Sequence, residues 1–306
     1  MGSWLEGKSL AEKIKEEVKE QVAYYLKTRN EIPGLVGILV GENKASQNYL
    51  KTKEKTSHSL GIASEILTLP ADIEASSLKA KIELLNQKKE VDGILVQLPL
   101  PSSLNSYEII CSILPEKDVD GIHPFNLGTL LMNQEGLQPC TPKGIIELLK
   151  FRNVRIEGKD VVIIGRSLIV GKPLAAMMTN ENATVTICHT KTANLPHITS
   201  KADILVVAMG RGAAFILPEF VKQGAVVVDV GMNYLEDKAR VEQLFGKDPK
   251  REKDLREKGY TLVGDVHPQV IEKADYLTPV PGGVGPLTIA MLMRNTLEAF
   301  KRRRKL

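Results

Sequence analysis

Apolar positions recur every three or four residues at Leu10, Ile14, Val18, Val22 and Tyr25, with Lys and Glu between them, which predicts an amphipathic helix over 8–28. Pro33-Gly34 breaks it, and the unbroken apolar run over 35–40 reads as a short strand ending at Gly41. The helical period returns over 46–60, closed by Gly61 as a C-terminal cap. Residues 66–69 form a second strand, 74–88 another helix, and Ile94-Leu95-Val96 a third strand stopped by Gln97-Leu98-Pro99-Leu100-Pro101. Strands separated by helices predict a parallel sheet with crossover helices.

Residues 115–143, rich in Pro, Gly, Asp and Asn, show no clear long element and are expected to form an active-site loop and interdomain connection, followed by a helix from 142 to about 151. A second α/β series has short apolar strands at 161–164, 184–188, 204–208 and 226–230, the pattern of a doubly wound dinucleotide-binding domain. Its first strand runs Val161-Val162-Ile163-Ile164 into Gly165-Arg166-Ser167 and then Val170-Gly171-Lys172-Pro173. Pro173 suits a first helical turn, and free N–H groups with the positive end of a helix dipole would face whatever sits above. That arrangement suits a phosphate. The turn is not a full G-x-G-x-x-G, so an ordinary strand–loop–helix connection stands as the alternative. Residues 236–259 carry dense charge of both signs and read as a solvated helical excursion. Thr278-Pro279-Val280-Pro281-Gly282-Gly283-Val284-Gly285-Pro286 reads as a rigid loop before a final helix from about 287 to 301.

At 306 residues the chain is long for one core, so two domains are expected. The net charge of +4 owes much to Lys301-Arg302-Arg303-Arg304-Lys305, a basic helix end that complements the helix dipole. No aromatic-rich basic surface accompanies it, so nucleic-acid binding is not expected. Three cysteines without C-x-x-C spacing and five histidines without H-x-x-x-H pairing predict neither a disulfide framework nor a metal site, and they fit a reducing compartment. No apolar run approaches the ~20 residues of a membrane span. With no signal-peptide core in the first seven residues, a cytoplasmic protein is expected.

The candidate chemistry divides between the two halves. An NAD-type fingerprint places a carboxylate about 20 residues past the glycine turn. Here the second strand ends Cys188-His189-Thr190-Lys191, and Arg166 stands in the turn, a set that favours the 2′-phosphate of NADP over NAD. The alternative is that Thr190 and Lys191 cap the following helix. In the first half, Tyr49 and Lys53 stand at i and i+4 of a predicted helix, side by side on one face. Lys44, Lys51 and Lys55 are expected in solvent, and taken alone Lys53 reads the same way. Gln97 ends a strand, where open parallel sheets bind ligands. Asp118 and Asp120 share a loop, a common arrangement that points to no metal without a third ligand.

Several stretches together resemble one family, the bifunctional methylenetetrahydrofolate dehydrogenase/methenyltetrahydrofolate cyclohydrolases. They are Ser46-Gln47-Asn48-Tyr49-Leu50-Lys51-Thr52-Lys53, 91–101, Glu116-Lys117-Asp118-Val119-Asp120-Gly121, Pro139-Cys140-Thr141-Pro142, the 165–173 turn and 278–288, in the family's order across nearly the whole chain. The resemblance implies two α/β domains: a parallel-sheet tetrahydrofolate-binding catalytic domain over 1–143, completed by 280–306, and a Rossmann-like NAD(P)-binding domain over 144–279, with a cleft between them. It implies NADP-dependent oxidation of 5,10-methylenetetrahydrofolate and hydrolysis of the methenyl product to 10-formyltetrahydrofolate, serving purine, methionine and histidine biosynthesis. Lys53 becomes the main catalytic residue, with Gln97 orienting its amine, Tyr49 packing on the substrate and Asp120 anchoring the pterin. Val96, Leu98, Pro281, Gly282 and Gly285 would line the folate site. Gly165, Arg166, Ser167, Thr190 and Met232 would contact the cofactor, and relatives imply a homodimer joined through the nucleotide domain. Another two-domain NAD(P)-dependent dehydrogenase, a monofunctional member and a non-enzymatic folate or NADP sensor are the alternatives.

Overall fold

The computed structural model describes residues 2–210 and 212–306, and the chain divides into two compact units. One comprises Ala11–Cys140 with Thr288–Leu306, the other Met1–Leu10 with Thr141–Leu287. The first ten residues and 280–287 therefore group with the second α/β series.

Strand β1 (Ser3–Trp4) belongs to that second unit and is taken with it. Helix α1 (Lys8–Arg29) buries the predicted stripe of Leu10, Ile14, Val18 and Val22. Next come β2 (Gly34–Val40), α2 (Lys44–Ser59), β3 (Ala63–Leu69), α3 (Ala75–Gln87) and β4 (Gly93–Val96). They build a parallel sheet in the order β3-β2-β4. All residues of β2 and β4 are buried, which is why these strands read as unbroken apolar runs rather than alternating ones. A Cβ on Gly37 of β2 would lie 2.5 Å from Leu50 Cδ2, so glycine there lets α2 press onto the sheet. Because β2 lies between its neighbours, chain crossovers diverge from it, and the carboxyl ends of β2 and β4 form a switch point.

After β4 comes the short helix α4 (Ser106–Cys111), and a second short helix, α5 (Pro124–Leu131), occupies ground where no clear long element was expected. In α5 the His123 Nδ1 accepts from Phe125 N at 3.0 Å, and Pro124 fills a first-turn position where a missing N–H is harmless. Phe125, Leu131 and Met132 are exposed, so the segment has no polar outer face to betray its period. Helix α6 (Cys140–Phe151) starts two residues earlier than expected. Lys117, fully buried, donates to the carbonyls of Leu85, Asn86 and Lys88 at 2.9, 2.7 and 2.8 Å, and so satisfies the carbonyls that the end of α3 leaves open.

The second unit contains β5 (Asp160–Ile164), α7 (Gly171–Asn180), β6 (Thr184–Cys188), α8 (Leu195–Thr199), β7 (Ile204–Val207), β8 (Val226–Asp229), β9 (Asn233–Leu235), α9 (Lys238–Phe245), α10 (Pro249–Lys258), β10 (Thr261–Val263) and β11 (Tyr276–Leu277). Six parallel strands run in the order β1-β11-β8-β7-β5-β6 around a core that includes Val162, Leu205, Val227 and Leu277. The charged excursion is two helices carried on an antiparallel pair, β9 with β10, which charge pattern alone did not reveal. No residue of α10 is buried. Phe245 at the end of α9 stacks on the His267 ring at 6.3 Å and meets the Arg251 guanidinium at 4.1 Å. The final helix, α11 (Val284–Arg304), begins three residues before the expected start, with Gly285 and Pro286 inside its first turn. From Thr288 onward its residues belong to the first unit, where Arg303 donates to Asp92 Oδ1 at 2.6 Å and to Val91 O at 2.8 Å.

Candidate active site

Helix α2 starts at the Asn43 cap, whose Oδ1 accepts from Ser46 N at 2.9 Å. Its buried residues are Ser46, Leu50, Lys53 and Ser57, a four-three-four spacing that defines one face. Lys53 thus occupies a core-facing position and is only 5% exposed, whereas Lys44, Lys51 and Lys55 are exposed as expected. Its ammonium donates to Gln97 Oε1 at 3.1 Å and lies 4.5 Å from the centre of the Tyr49 ring. Gln97 follows β4 directly, its N–H donating to Ile38 O at 2.9 Å. The side-chain Nε2 donates to Leu98 O at 2.8 Å, which turns Oε1 toward the lysine. Val96 is buried, and Leu98 half-buried, on either side of it.

Asp120 completes this group. A parallel bridge pairs Asp118 with Ile94, so the chain extends the sheet beside β4 and carries Asp120 toward the level of Val96. Asp118 itself is buried and structural: its Oδ2 accepts from His123 N at 2.7 Å and Asn126 Nδ2 at 2.8 Å, which ties it to the start of α5. Burial nevertheless pushes its carboxyl up to about 6. Burial also lowers the pKa of Lys53, opposed by the negative charge of Asp120 and by Cys140. Asp120 moves up for the same reason, opposed by Lys53. The result is an amine closer to a proton-transferring value than a solvated lysine, held between a π face, an amide oxygen and a carboxylate. Sequence reasoning assigned no role to Cys140, although Pro139-Cys140-Thr141-Pro142 had been noted. It also passed over the inward spacing of Ser46, Leu50, Lys53 and Ser57, a signal that was available.

In the second unit the glycine turn lies at the switch point of its own sheet, between β5 and β7. A Cβ on Gly165 would stand 2.2 Å from Ala208 O, and one on Gly171 would stand 2.1 Å from Gly165 O. Only bare backbone allows the turn, the helix start and β7 to approach this closely. Ser167 Oγ accepts from Val170 N at 3.1 Å and caps the start of α7, while Arg166 and Thr190 are exposed. The alternative in which Thr190 and Lys191 cap α8 does not hold, because that helix starts at Leu195 and Thr192 Oγ1 instead accepts from His189 N at 2.8 Å. Met232 is exposed after β8. Pro281 and Gly282 lie between β11 and α11 in this unit, where Gly282 has φ of +117° and its carbonyl accepts from Gly7 N at 3.0 Å. At Gly285 a Cβ would meet nothing within 4 Å, so packing does not require glycine there.

Comparison with known proteins matches residues 5–120 to the tetrahydrofolate dehydrogenase/cyclohydrolase catalytic domain and residues 139–304 to the NAD(P)-binding domain of the same family. The chain is 52% identical over 300 residues to the bifunctional protein FolD of Koribacter versatilis, covering 98% of this chain and 97% of that one. Its fold is similar to the Campylobacter jejuni FolD crystal structure, with 44% identity, a TM-score of 0.89, and coverage of 99% of this chain and 100% of the other. A Trypanosoma brucei FolD structure complexed with NADP cofactor and inhibitor gives 36% identity and a TM-score of 0.89, over 100% of this chain and 99% of that one.

Proposed function

Because the chain belongs to the tetrahydrofolate dehydrogenase/cyclohydrolase family, we propose that it oxidises 5,10-methylenetetrahydrofolate with NADP and hydrolyses the resulting 5,10-methenyltetrahydrofolate to 10-formyltetrahydrofolate. The observation that carries the site assignment is the buried Lys53 amine, hydrogen-bonded to Gln97 and seated over Tyr49. Hydride loss from the bridging carbon leaves a cation spread over both neighbouring nitrogens. Water then adds to that carbon, loses a proton, and one carbon–nitrogen bond breaks as its nitrogen is protonated. The neutral form of Lys53 takes the proton from the attacking water and its ammonium returns one to the departing nitrogen. Burial supports this role because it favours the neutral amine. Gln97 holds the amine while staying uncharged, Asp120 accepts from the amino and ring N–H groups of the pterin, and the Tyr49 ring packs on the aminobenzoyl ring. Val96, Leu98, Pro281, Gly282 and Gly285 are assigned to the rest of the folate surface.

The N–H groups of Val170, Gly171 and Lys172 are taken up within the turn by Ser167. The close-packed Gly165–Gly171 turn and the positive end of the α7 dipole, rather than free N–H groups there, therefore fit a pyrophosphate, and exposed Arg166 and Thr190 fit a 2′-phosphate. NADP bound there would supply the hydride acceptor. Ser167 and Met232 are assigned to the same site. A homodimer joined through the second unit completes the reading, and sedimentation at twice the monomer mass tests it. A cytoplasmic location fits three free thiols, and no described helix is long and apolar enough to cross a membrane. One spectrophotometric assay tests the central proposal, following methenyl absorbance as it rises with NADP and methylenetetrahydrofolate and then decays. Absence of the rise refutes the dehydrogenase, and absence of catalysed decay refutes the hydrolase.

A further inference from the structure

Asn295 is a buried amide on α11, 2% exposed, and it stands apart from every group given a role above. Its Nδ2 donates to two carbonyls of the first unit, Val119 O at 2.9 Å and Gln138 O at 2.8 Å, and lies 3.5 Å from Cys140 Sγ. The two hydrogens of one NH2 group thus meet two acceptors from chain segments 19 residues apart. Val119 immediately precedes Asp120, and its carbonyl also accepts from Cys140 Sγ at 3.3 Å. Gly121, immediately after Asp120, has φ of +71°, and a Cβ there would stand 2.3 Å from Gln138 C. The residues on both sides of Asp120 are therefore held against the 138–140 segment, and Asn295, beside the direct Cys140 Sγ–Val119 O contact, bridges the two from α11.

We propose that Asn295 is a positioning residue that sets the place of Asp120 relative to Lys53. This inference rests on the folate-enzyme reading. Loss of the amide leaves Gln138 O without this donor and Val119 O with only the weak Cys140 thiol, and lets the Val119–Gly121 turn shift. A displaced carboxylate no longer meets the pterin squarely and no longer supports the charge on Lys53 as strongly. A residue that merely stabilised the fold would change neither property.

The test compares wild type with Asn295→Ala in the full-length protein. The expected result is a rise of roughly tenfold in KM for methylenetetrahydrofolate, with KM for NADP unchanged. Tetrahydrofolate affinity by calorimetry should weaken by a similar factor, and the limb of the hydrolysis pH profile governed by Lys53 should move to lower pH. Unchanged folate KM and an unmoved limb in a folded variant would overturn the proposal, even with a lower unfolding temperature. If the alanine variant fails to fold, Asn295→Ser, which keeps one donor hydrogen, is judged by the same criteria. Failure of the underlying reading is distinct, since wild type itself would then turn over no methylenetetrahydrofolate.

Discussion

Replacing Lys53 with methionine should separate activity from stability. Methionine keeps an unbranched chain of similar reach, so packing beside Leu50 and Ser57 on the buried face of α2 is retained. The variant loses a charge-assisted hydrogen bond to Gln97, worth about 1.5–3 kcal/mol, and a cation–π contact with Tyr49 worth up to about 2 kcal/mol. It is also relieved of burying an ammonium, which costs several kcal/mol. Gln97 and Tyr49 are partly exposed, so water replaces part of what they lose. The opposing contributions are of similar size, and stability at neutral pH should stay within about 2 kcal/mol of wild type. The sign follows from the pKa: the folded state holds Lys53 below its ordinary value, so at intermediate pH the unfolded chain binds more protons. The penalty removed by methionine is fully present below the folded pKa and fades as pH rises toward 10.5. Any stabilisation should fade over the same window. Proton transfer by a placed base is worth about 10²–10⁴-fold, and hydrolysis should slow by that factor. Stopped-flow decay of methenyltetrahydrofolate with parallel urea unfolding measures both. A folded variant that hydrolyses at the wild-type rate would refute the assigned role, and a variant several kcal/mol less stable would refute the energetic argument.

Lys117→Met should cost about 3 kcal/mol in urea unfolding, because three carbonyls lose their donor, those of Leu85 and Asn86 in buried surroundings. Burial and, after it, Arg303 hold Lys117 down to about 8, so wild-type stability should rise between about pH 8 and 10.5, and this slope should vanish in the variant. Gly121→Ala places a Cβ 2.3 Å from Gln138 C at a positive φ, and folate affinity by calorimetry should fall at least tenfold while NADP affinity is kept. Arg166→Ala should raise KM for NADP roughly tenfold or more with little effect on NAD, and equal loss with both would remove Arg166 from the 2′-phosphate.

Much of the framework was legible because it depends on local rules. The helical stripe of α1, the apolar runs of β2 and β5, and the cap after α2 each follow from a few neighbouring residues. Order along the chain then implied two parallel sheets, and the strand, glycine turn and helix over 161–173 form where the apolar run, the glycines and Pro173 placed them. Helix α5 escaped notice because its exposed apolar face carries no amphipathic period. Strand β1, two residues long, escaped because only pairing with β11 makes it a strand.

The sequence by itself determined most element types, the two parallel sheets and the residues able to do the chemistry, since periodicity, turn residues and motif order are properties of the chain alone. Only the tertiary structure decided that Lys53 is a buried amine among Tyr49, Gln97 and Asp120 while Lys51 and Lys55 face solvent. Composition cannot distinguish these lysines. Burial and its effect on protonation come from which helix face meets the sheet and from what the 118–121 turn is tied to, and those contacts join residues far apart in sequence.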